Sequence, residues 1–411
     1  MKIFNRKLKI ISSVLLTLCM VFVMTACAEN SSQSEKSQPA EQTTVQPTTM
    51  SAEEINDRKL DKFISDMTLE EKVGQMFFVR CPDEGAVQQV SEYNIGGYIL
   101  FGRDFDGKTK DEVLDDIHSY QNEADIPLLI GVDEEGGTVV RVSSNPNLCE
   151  TPFLSPKDTY ADGGWDAVKQ DAEEKADLLL SLGINVNLAP VCDMTSDEYG
   201  FMYDRSFSSD VDMENRYVRT VVETSKSKKL GTVLKHFPGY GNNSDTHTGI
   251  AYDDRDYSEF ENTDFKPFYQ GIESGADCIL VSHNIVNCMD SEYPASLSQK
   301  VHDILRNEFK FDGVIMTDDL IMDAITDFTG DEAAAVTAAK CGNDLLCCSS
   351  VDTQYPAVLE AVQNGEIPEA QVDASVKRIL KWKQNLGIFN IDTYQKKVKS
   401  TEPTDTVESE E

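Results

Sequence analysis

Basic side chains are scarce in this sequence. Its 411 residues include 37 Lys and Arg against 72 Asp and Glu, which gives a formal net charge of −35. A surface with this excess of negative charge repels the phosphate backbone of DNA or RNA. We therefore expect no nucleic-acid partner.

The ten cysteines lack the spacing of a disulfide framework or of a zinc site, because no C-x-x-C pair occurs among them. Cys19 and Cys27 fall in the N-terminal segment, and the other eight are irregularly spaced. We expect Cys278, Cys341 and Cys347 to be thiols buried in apolar surroundings.

The N-terminal apolar run, residues 10–24, is too short for a membrane span, which takes about 20 apolar residues. It follows four basic residues and leads into "MTAC", residues 24–27. This layout predicts a signal peptide over 1–26, and "MTAC" resembles the lipobox of bacterial lipoproteins, with Cys27 as the lipidated residue. We expect a lipid anchor at the extracellular face of the bacterial cell membrane; an uncleaved anchor and an ordinary secreted protein are the alternatives.

Two flanking segments contain almost no large apolar side chains, so neither can bury enough surface to offset the entropy of ordering. Residues 27–52 are rich in Ser, Thr, Gln and Pro and are predicted to form a tether, and the acidic residues 393–411 are predicted to form a disordered tail. The region between them, 53–392, is predicted to be a single catalytic domain.

Short apolar, β-rich runs alternate with segments of helical spacing through this region. Because the runs are continuously apolar, the sheet is expected to be covered on both faces and therefore parallel. Eight such units predict a (β/α)8 barrel of the TIM type, with an open doubly wound sheet as the alternative. The predicted strands are 75–79, 96–101, 127–132, 184–190, 232–236, 278–283, 313–317 and 344–348.

Charged groups accumulate where these predicted strands end. Barrel enzymes place their chemistry at the C-terminal ends of strands, so the groups are expected to meet at one face. They are Asp133, Lys235, His236, His283, Asp318 and Asp319, together with Asp193, Asp204 and Arg205 in the loop after the fourth strand.

Three kinds of function could use these groups. Metal-assisted hydrolysis could employ His236, His247, His283 and Asp318, but the first strand lacks the H-x-H pair typical of barrel metallohydrolases. A nucleophile and an acid/base could instead flank a glycosidic bond. A lipoprotein that binds a solute without catalysis is the third possibility, although such receptors normally have two lobes and this region does not divide.

The stretch "LKHFPGYGNNSDTHTG", residues 234–249, supplies a candidate acid/base. Asp245 and His247 are two residues apart, so the carboxylate could orient the imidazole and raise its pKa. A D-x-H pair is a weak signal when taken alone.

The motifs taken together resemble family 3 glycoside hydrolases, and specifically their β-N-acetylglucosaminidase branch. "KHFPGYGNNSDTH" is similar to that branch's "KHFPGHG…DSH" loop, and the order of motifs matches over about residues 54–389. The other matching motifs include "MTLEEKVGQMF", "GVDEEGGTVVRV", "LGINVNLAPVCDM…DRSF", "GADCILVSH" and "GVIMTDDLIMDAI".

The resemblance implies a role for each matching residue. Asp318 corresponds to the nucleophile, His247 to the acid/base and Asp245 to its dyad partner. The residues that correspond to groups holding the sugar hydroxyls are Asp133, Arg141, Arg205, Lys235 and His236. No cofactor and no metal ion is implied.

Alternatives remain for several residues. Arg141 could be a surface arginine, Arg205 could pair with Asp204 or Asp210, and His283 could be a buried histidine that supports the site. Asp319 is interpreted as a cap or a supporting group beside Asp318.

The implied function is that of a retaining exo-β-N-acetylhexosaminidase acting on cell-wall fragments or other glycans with terminal N-acetylglucosamine, and we expect a monomer. Another β-glycosidase or an N-acetylglucosaminide phosphorylase on the same barrel is an alternative. The sequence departs from the branch in three places: Tyr240 replaces a histidine, the loop before Asp245 is one residue shorter, and Glu134 replaces a glutamine. We expect Glu134 to add a charge near the sugar.

Overall fold

The computed structural model describes residues 50–243, 249–329 and 331–396, and for residues 331–333 it describes the backbone alone. The chain divides into two units after Met50, so nearly everything described belongs to the second unit. The predicted signal peptide, Cys27 and almost all of the tether lie outside the described residues, as do Asp245, His247 and the tail from 397 onward. No helix in the described ranges has both the length and the apolar character to cross a membrane.

Ten strands occur in the described chain. They are β1 (Phe77–Arg80), β2 (Gly97–Leu100), β3 (Leu129–Val132), β4 (Val186–Asn187), β5 (Gly231–Phe237), β6 (Tyr252–Asp253), β7 (Cys278–Val281), β8 (Ile285–Val286), β9 (Val314–Thr317) and β10 (Leu346–Cys348). Eight of them coincide with the eight predicted runs. β6 and β8 pair only with each other and were not predicted.

The eight predicted strands form one parallel sheet in the order β10-β1-β2-β3-β4-β5-β7-β9. The two strands at the ends of this order, β9 and β10, are joined by a parallel bridge between Met316 and Leu345. The sheet therefore closes. The strand order therefore follows the chain around a ring, whereas a doubly wound sheet reverses its order at a switch point. The prediction of a single (β/α)8 barrel is confirmed.

Helices cover the outside of the barrel. They are α1 (Ala52–Ser65), α2 (Leu69–Gln75), α3 (Ala86–Tyr93), α4 (Lys110–Glu123), α5 (Pro156–Ser181), α6 (Val211–Lys228), α7 (Tyr257–Asn262), α8 (Phe265–Ser274), α9 (Gln299–Asp303), α10 (Asp323–Thr329), α11 (Asp331–Lys340), α12 (Val351–Gln363) and α13 (Glu369–Asn385). The long α5 is interrupted at Gly163 and Gly164, whose backbone angles are not helical.

Local sequence fixes where the packed body begins. Ser51 caps α1 by accepting a hydrogen bond from the Glu54 amide at 3.1 Å, while Glu54 accepts one from the Ser51 amide at 2.7 Å. At the other end the body extends past the predicted boundary at 392. Tyr394, which was predicted to lie in the tail, packs edge-on against Phe63 with ring centroids 5.0 Å apart.

The strands are buried along their lengths, as their continuous apolar character predicts. Every residue of β2, β3, β5, β7 and β9 is buried. All eight cysteines from Cys81 to Cys348 are free thiols, and Cys278, Cys341 and Cys347 are buried as expected.

A lysine is buried without a carboxylate partner among the described residues near the N-terminal end of the barrel. Lys383 of α13 is fully buried, and its Nζ donates to Oε1 of Gln75 at 2.8 Å. Burial lowers the pKa of Lys383 to about 7, whereas an unfolded lysine has a pKa of about 10.4. Between these values only the unfolded chain binds the proton, so raising the pH favours the folded chain.

This lysine gives a prediction about stability. From pH 7 to pH 10 the free energy of unfolding of the wild type is expected to rise, relative to that of Lys383→Met, by on the order of 3–4 kcal/mol. Urea unfolding of both proteins across this range measures the difference. Lys72→Met is the matched control, because Lys72 is also buried but pairs with Glu369 at 2.8 Å and Asp373 at 2.7 Å. A flat difference for Lys383→Met would show that Lys383 stays charged in the folded protein.

Candidate active site

The C-terminal ends of the strands surround a pocket of about 570 Å³. A more apolar cavity of about 300 Å³ lies near α1, α3 and Tyr394, and none of the strand-end charges lines it. The strand-end pocket is therefore the candidate active site, because the charged residues at the strand ends line it. Its lining includes Arg80, Phe101, Asp133, Glu135, Arg141, Arg205, Lys235, His236, Tyr240, Asp318 and Asp319.

Lys235 lies at the centre of a buried ion-pair cluster. Its Nζ is 2.6 Å from Oδ1 of Asp133 and 2.6 Å from Oε1 of Glu135. Glu135 also binds Arg205 through two parallel bonds, from Nε at 2.9 Å and from Nη2 at 2.7 Å. The structure thus brings together Asp133, Arg205 and Lys235 as expected, and it adds Glu135 between the two cations.

The charges in this cluster stabilise one another. Burial alone would raise the pKa of Glu135, but Lys235 and Arg205 outweigh it and hold that pKa well below its usual range. Burial alone would lower the pKa of Lys235, but Asp133 and Glu135 outweigh it and raise the pKa. The cluster therefore keeps charged donors and acceptors beside the pocket at neutral pH.

His236 is oriented by Asp193. Oδ2 of Asp193 accepts from Nδ1 of His236 at 2.7 Å and from its backbone amide at 3.0 Å. Nε2 of His236 lies 3.2 Å from Nη2 of Arg205, which can only donate. These contacts fit a neutral imidazole with its proton on Nδ1, so His236 helps to aim Arg205 into the pocket.

Arg141 shares an aromatic ring with a second arginine. The guanidinium carbon of Arg80 is 4.4 Å from the centre of the Phe101 ring, and that of Arg141 is 5.8 Å from it. The interpretation of Arg141 as a surface arginine is therefore wrong, because it lies half-buried in the pocket lining.

Glu134 binds the backbone of Arg141 and of the residues that follow it. Glu134 is fully buried, and its carboxylate accepts from the backbone amides of Arg141 at 2.9 Å and Val142 at 2.7 Å, and from the Ser143 hydroxyl. Glu134 is absent from the described pocket lining, so it does not meet that pocket directly, and the expectation that it adds a charge near the sugar stays a prediction. Its carboxylate is instead engaged by the backbone of the chain that carries Arg141.

Asp318 and Asp319 follow β9 and have different surroundings. The Asp318 amide donates to the Val281 carbonyl at 3.2 Å, and Oδ1 of Asp318 accepts from the Asp319 amide at 2.9 Å. Asp319 accepts instead from the Ser349 hydroxyl at 2.7 Å, and its burial raises its pKa. Both aspartates line the pocket, and the contacts of Asp319 agree with its role as a supporting group.

His283 lies beneath these aspartates. It is fully buried, with Nδ1 2.7 Å from the Ser296 hydroxyl and Nε2 3.1 Å from the Asp319 carbonyl. Nothing in the ranges covered by the structure groups three or more His, Cys, Asp or Glu side chains as a metal site.

Glu135 and Arg80 were not predicted as site residues, and no role was predicted for Asp193. Arg80 is the last residue of β1, so the strand-end rule could have found it. Glu135 is two residues after Asp133, which is the only local signal. Its pairing with Arg205, 70 residues away, follows only from the barrel.

A closed parallel barrel with this pocket defines a (β/α)8 enzyme. Lysine, arginine and carboxylate groups converge where strands β3, β5 and β9 end, which is where enzymes of this fold place their catalytic groups. Paired carboxylates with charged donors are suited to binding and cleaving a polyhydroxylated substrate.

The chain belongs to glycosyl hydrolase family 3. The model of the family's N-terminal domain matches residues 68–382. This confirms the family resemblance found in the sequence.

Its relatives include bacterial hexosaminidases. A beta-hexosaminidase of Hydrogenovibrio crunogenus is 31% identical over 286 residues, which are 68% of this chain and 79% of that protein. Beta-hexosaminidase LpqI of Mycobacterium tuberculosis is 30% identical over 322 residues, which are 75% and 81%. The solved structure of a family 3 beta-N-acetylglucosaminidase from Paenibacillus sp. aligns with a TM-score of 0.74 at 29% identity, and the match covers 83% of this chain and 66% of that one.

Proposed function

We propose that this protein is a retaining exo-β-N-acetylhexosaminidase that hydrolyses terminal β-linked N-acetylglucosamine from glycans. The observation that carries the proposal is the Asp133–Lys235–Glu135–Arg205 cluster beside Asp318 in one strand-end pocket. Three relatives of this chain bear hexosaminidase or N-acetylglucosaminidase names, which supports the choice of sugar.

The cluster is suited to a terminal sugar. Asp133 can accept hydrogen bonds from two neighbouring hydroxyls, and Lys235, Arg205 and Arg141 can donate to others. Because Asp133, Lys235 and Arg205 are held by the ion pairs of the cluster, they need little reorganisation when the sugar binds. A pocket of about 570 Å³ has room for such a ring.

The reaction proceeds in two displacements at the anomeric carbon. The Asp318 carboxylate attacks that carbon while His247 protonates the departing glycosidic oxygen, which leaves a covalent glycosyl-enzyme. Water then attacks the same carbon, His247 takes its proton, and the Asp318 carboxylate departs. Asp245 orients His247 and stabilises its protonated form. The net configuration is retained because each displacement inverts it once.

We also propose that Cys27 is lipidated and that the enzyme acts as a monomer at the extracellular face of the cell membrane on cell-wall fragments. The N-terminal sequence supports this placement through its basic residues, its apolar run and the "MTAC" motif. The excess of acidic over basic side chains supports a neutral or weakly charged glycan as the substrate in place of a nucleic acid.

A panel of nitrophenyl glycosides tests the activity. The β-N-acetylglucosaminide is expected to turn over at least about tenfold faster than the β-glucoside, with no turnover of the matched α-N-acetylglucosaminide. Proton NMR should show the β-anomer of the free sugar as the first product. Equal or faster cleavage of the β-glucoside would overturn the proposed sugar, and a glycosyl phosphate formed when phosphate is added would overturn hydrolysis in favour of phosphorolysis.

A further inference from the structure

Arg255 is half-buried and forms a hub of hydrogen bonds to buried carboxylates near the strand-end pocket, whose described lining does not include it. Its Nη1 donates to both carboxylate oxygens of Asp264 at 3.0 Å, and its Nη2 donates to Asp253 at 2.7 Å and to the Gly239 carbonyl at 3.0 Å. Its Nε donates to Asp253 at 3.0 Å. The side chains of Asp253 and Asp264 are 1% and 3% exposed, and the Phe260 ring lies 4.1 Å from the guanidinium carbon. All three guanidinium nitrogens are therefore engaged.

The hub joins two stretches of chain that lie on either side of residues 244–248. Gly239 and Asn243 precede that segment, and Asp253 follows it. Nδ2 of Asn243 donates to Oδ2 of Asp253 at 2.6 Å, which links the preceding stretch to the following one directly. Asp253 thus binds Asn243 on one side and Arg255 on the other.

The preceding backbone packs directly on the hub. A Cβ atom at Gly241 would lie 2.7 Å from the guanidinium carbon of Arg255, and one at Gly239 would lie 2.3 Å from Oδ1 of Asp264. Both glycines also have positive φ angles, 120° at Gly239 and 55° at Gly241. The chain approaches the hub as closely as glycine permits, so small shifts of Arg255 would displace it.

The hub is also attached to the barrel. β6, which contains Asp253, pairs with β8 shortly after the end of β7. On the other stretch, the Tyr240 amide donates to Oδ1 of Asp193, whose Oδ2 binds His236. Both stretches are therefore fixed relative to the strand ends that surround the pocket.

Resting on the proposed function, we propose that Arg255 and Asp253 are positioning residues for proton transfer. They anchor the described stretches on both sides of residues 244–248, and through this anchoring they limit the positions that the acid/base can take relative to the glycosidic oxygen. They contact no reacting atom. Their effect is on protonation of the leaving group in the first step and on deprotonation of water in the second.

Arg255→Lys keeps the positive charge but removes the planar fork that bridges two carboxylates and a carbonyl. The test compares kcat/KM for two β-N-acetylglucosaminides, one with dinitrophenol as leaving group, which departs without protonation, and one with phenol, which requires a proton. For Arg255→Lys the phenyl substrate is expected to lose about 10- to 100-fold and the dinitrophenyl substrate less than about 3-fold. Asp253→Asn should show the same selective loss on the phenyl substrate. Azide, which attacks the glycosyl-enzyme without base assistance, should restore dinitrophenyl turnover and yield a β-glycosyl azide.

Arg306→Lys is the matched control, because Arg306 pairs with the buried Asp344 near the start of β10, away from the pocket. It is expected to lower stability without separating the two substrates. Should Arg255→Lys fail to fold, Asn243→Ala removes only the bond to Asp253 and should show the same selective loss at smaller size.

His247→Ala separates the two proposals. If it loses activity selectively on the phenyl substrate while Arg255→Lys and Asn243→Ala lower both substrates equally, the positioning role is overturned and the proposed function stands. If His247→Ala itself affects both substrates equally, the acid/base assignment fails, and the positioning proposal fails with it.

Discussion

Asp318→Ala is expected to lower kcat/KM for an aryl β-N-acetylglucosaminide by at least about 10⁴-fold, because no other group would form the covalent intermediate. The reason lies in the position of Asp318, which directly follows β9 and lines the pocket. Alanine also leaves a space at the α-face of the sugar into which a small anion can fit. Azide is therefore expected to restore part of the activity of this variant and to give the α-glycosyl azide. Product analysis by NMR distinguishes this product from the β-azide expected when only base catalysis is lost.

Asp319→Asn is the control for this substitution. Asp319 binds the Ser349 hydroxyl at 2.7 Å and the Ile321 amide at 3.2 Å, and an asparagine can keep at least one of these bonds. Asp319→Asn is expected to lose far less activity than Asp318→Ala, and it should form no α-glycosyl azide. The acetamido group of the substrate serves as the nucleophile in some other families. Near-normal turnover by Asp318→Ala would indicate that route here and would overturn the nucleophile assignment.

Glu135→Gln is expected to have the second largest effect, a fall in kcat/KM of about 10²- to 10³-fold. The substitution preserves shape but removes the negative charge that Lys235 and Arg205 share, and one amide N–H would then face a cation. The pKa of Lys235 should fall, because only Asp133 would remain as its anionic partner. The alkaline limb of the pH profile of kcat/KM is therefore expected to move to lower pH.

Glu134→Gln provides the matched control for Glu135→Gln. The two glutamates are adjacent and both buried, but Glu134 binds backbone amides and the Ser143 hydroxyl instead of cations. A glutamine oxygen can accept from two of these donors. The β-N-acetylglucosaminidase branch that this sequence resembles usually has glutamine at this position. We expect near wild-type kcat/KM and an unchanged pH profile. Equal effects of the two substitutions would indicate that Glu135 matters only for folding.

The barrel could be predicted because its strands are continuous apolar runs. "PLLIGV" and "GVIMT" contain no polar alternation, which indicates strands buried on both faces, and the structure shows both as barrel strands. β6 and β8 could not be predicted, because a pair of two-residue strands has no periodicity to detect.

The site could be predicted where chemistry follows a strand directly. Asp133, Lys235 and Asp318 were found by this rule, and the structure places all three in one pocket. The contacts that hold them could not be found in this way, because they join residues distant in sequence. Glu135 meets Arg205 only after the barrel closes, and the Arg255 hub depends on glycines that let the backbone approach a guanidinium group.

The eight free thiols have a consequence for where this domain can fold. No disulfide cross-links the barrel described here. Six of the eight cysteines are buried, Cys149 is half-buried and Cys288 is exposed. The fold described here is therefore held by non-covalent contacts and requires no disulfide. A domain built in this way needs no thiol oxidase to fold, and we expect that it can be produced in a reducing bacterial cytoplasm.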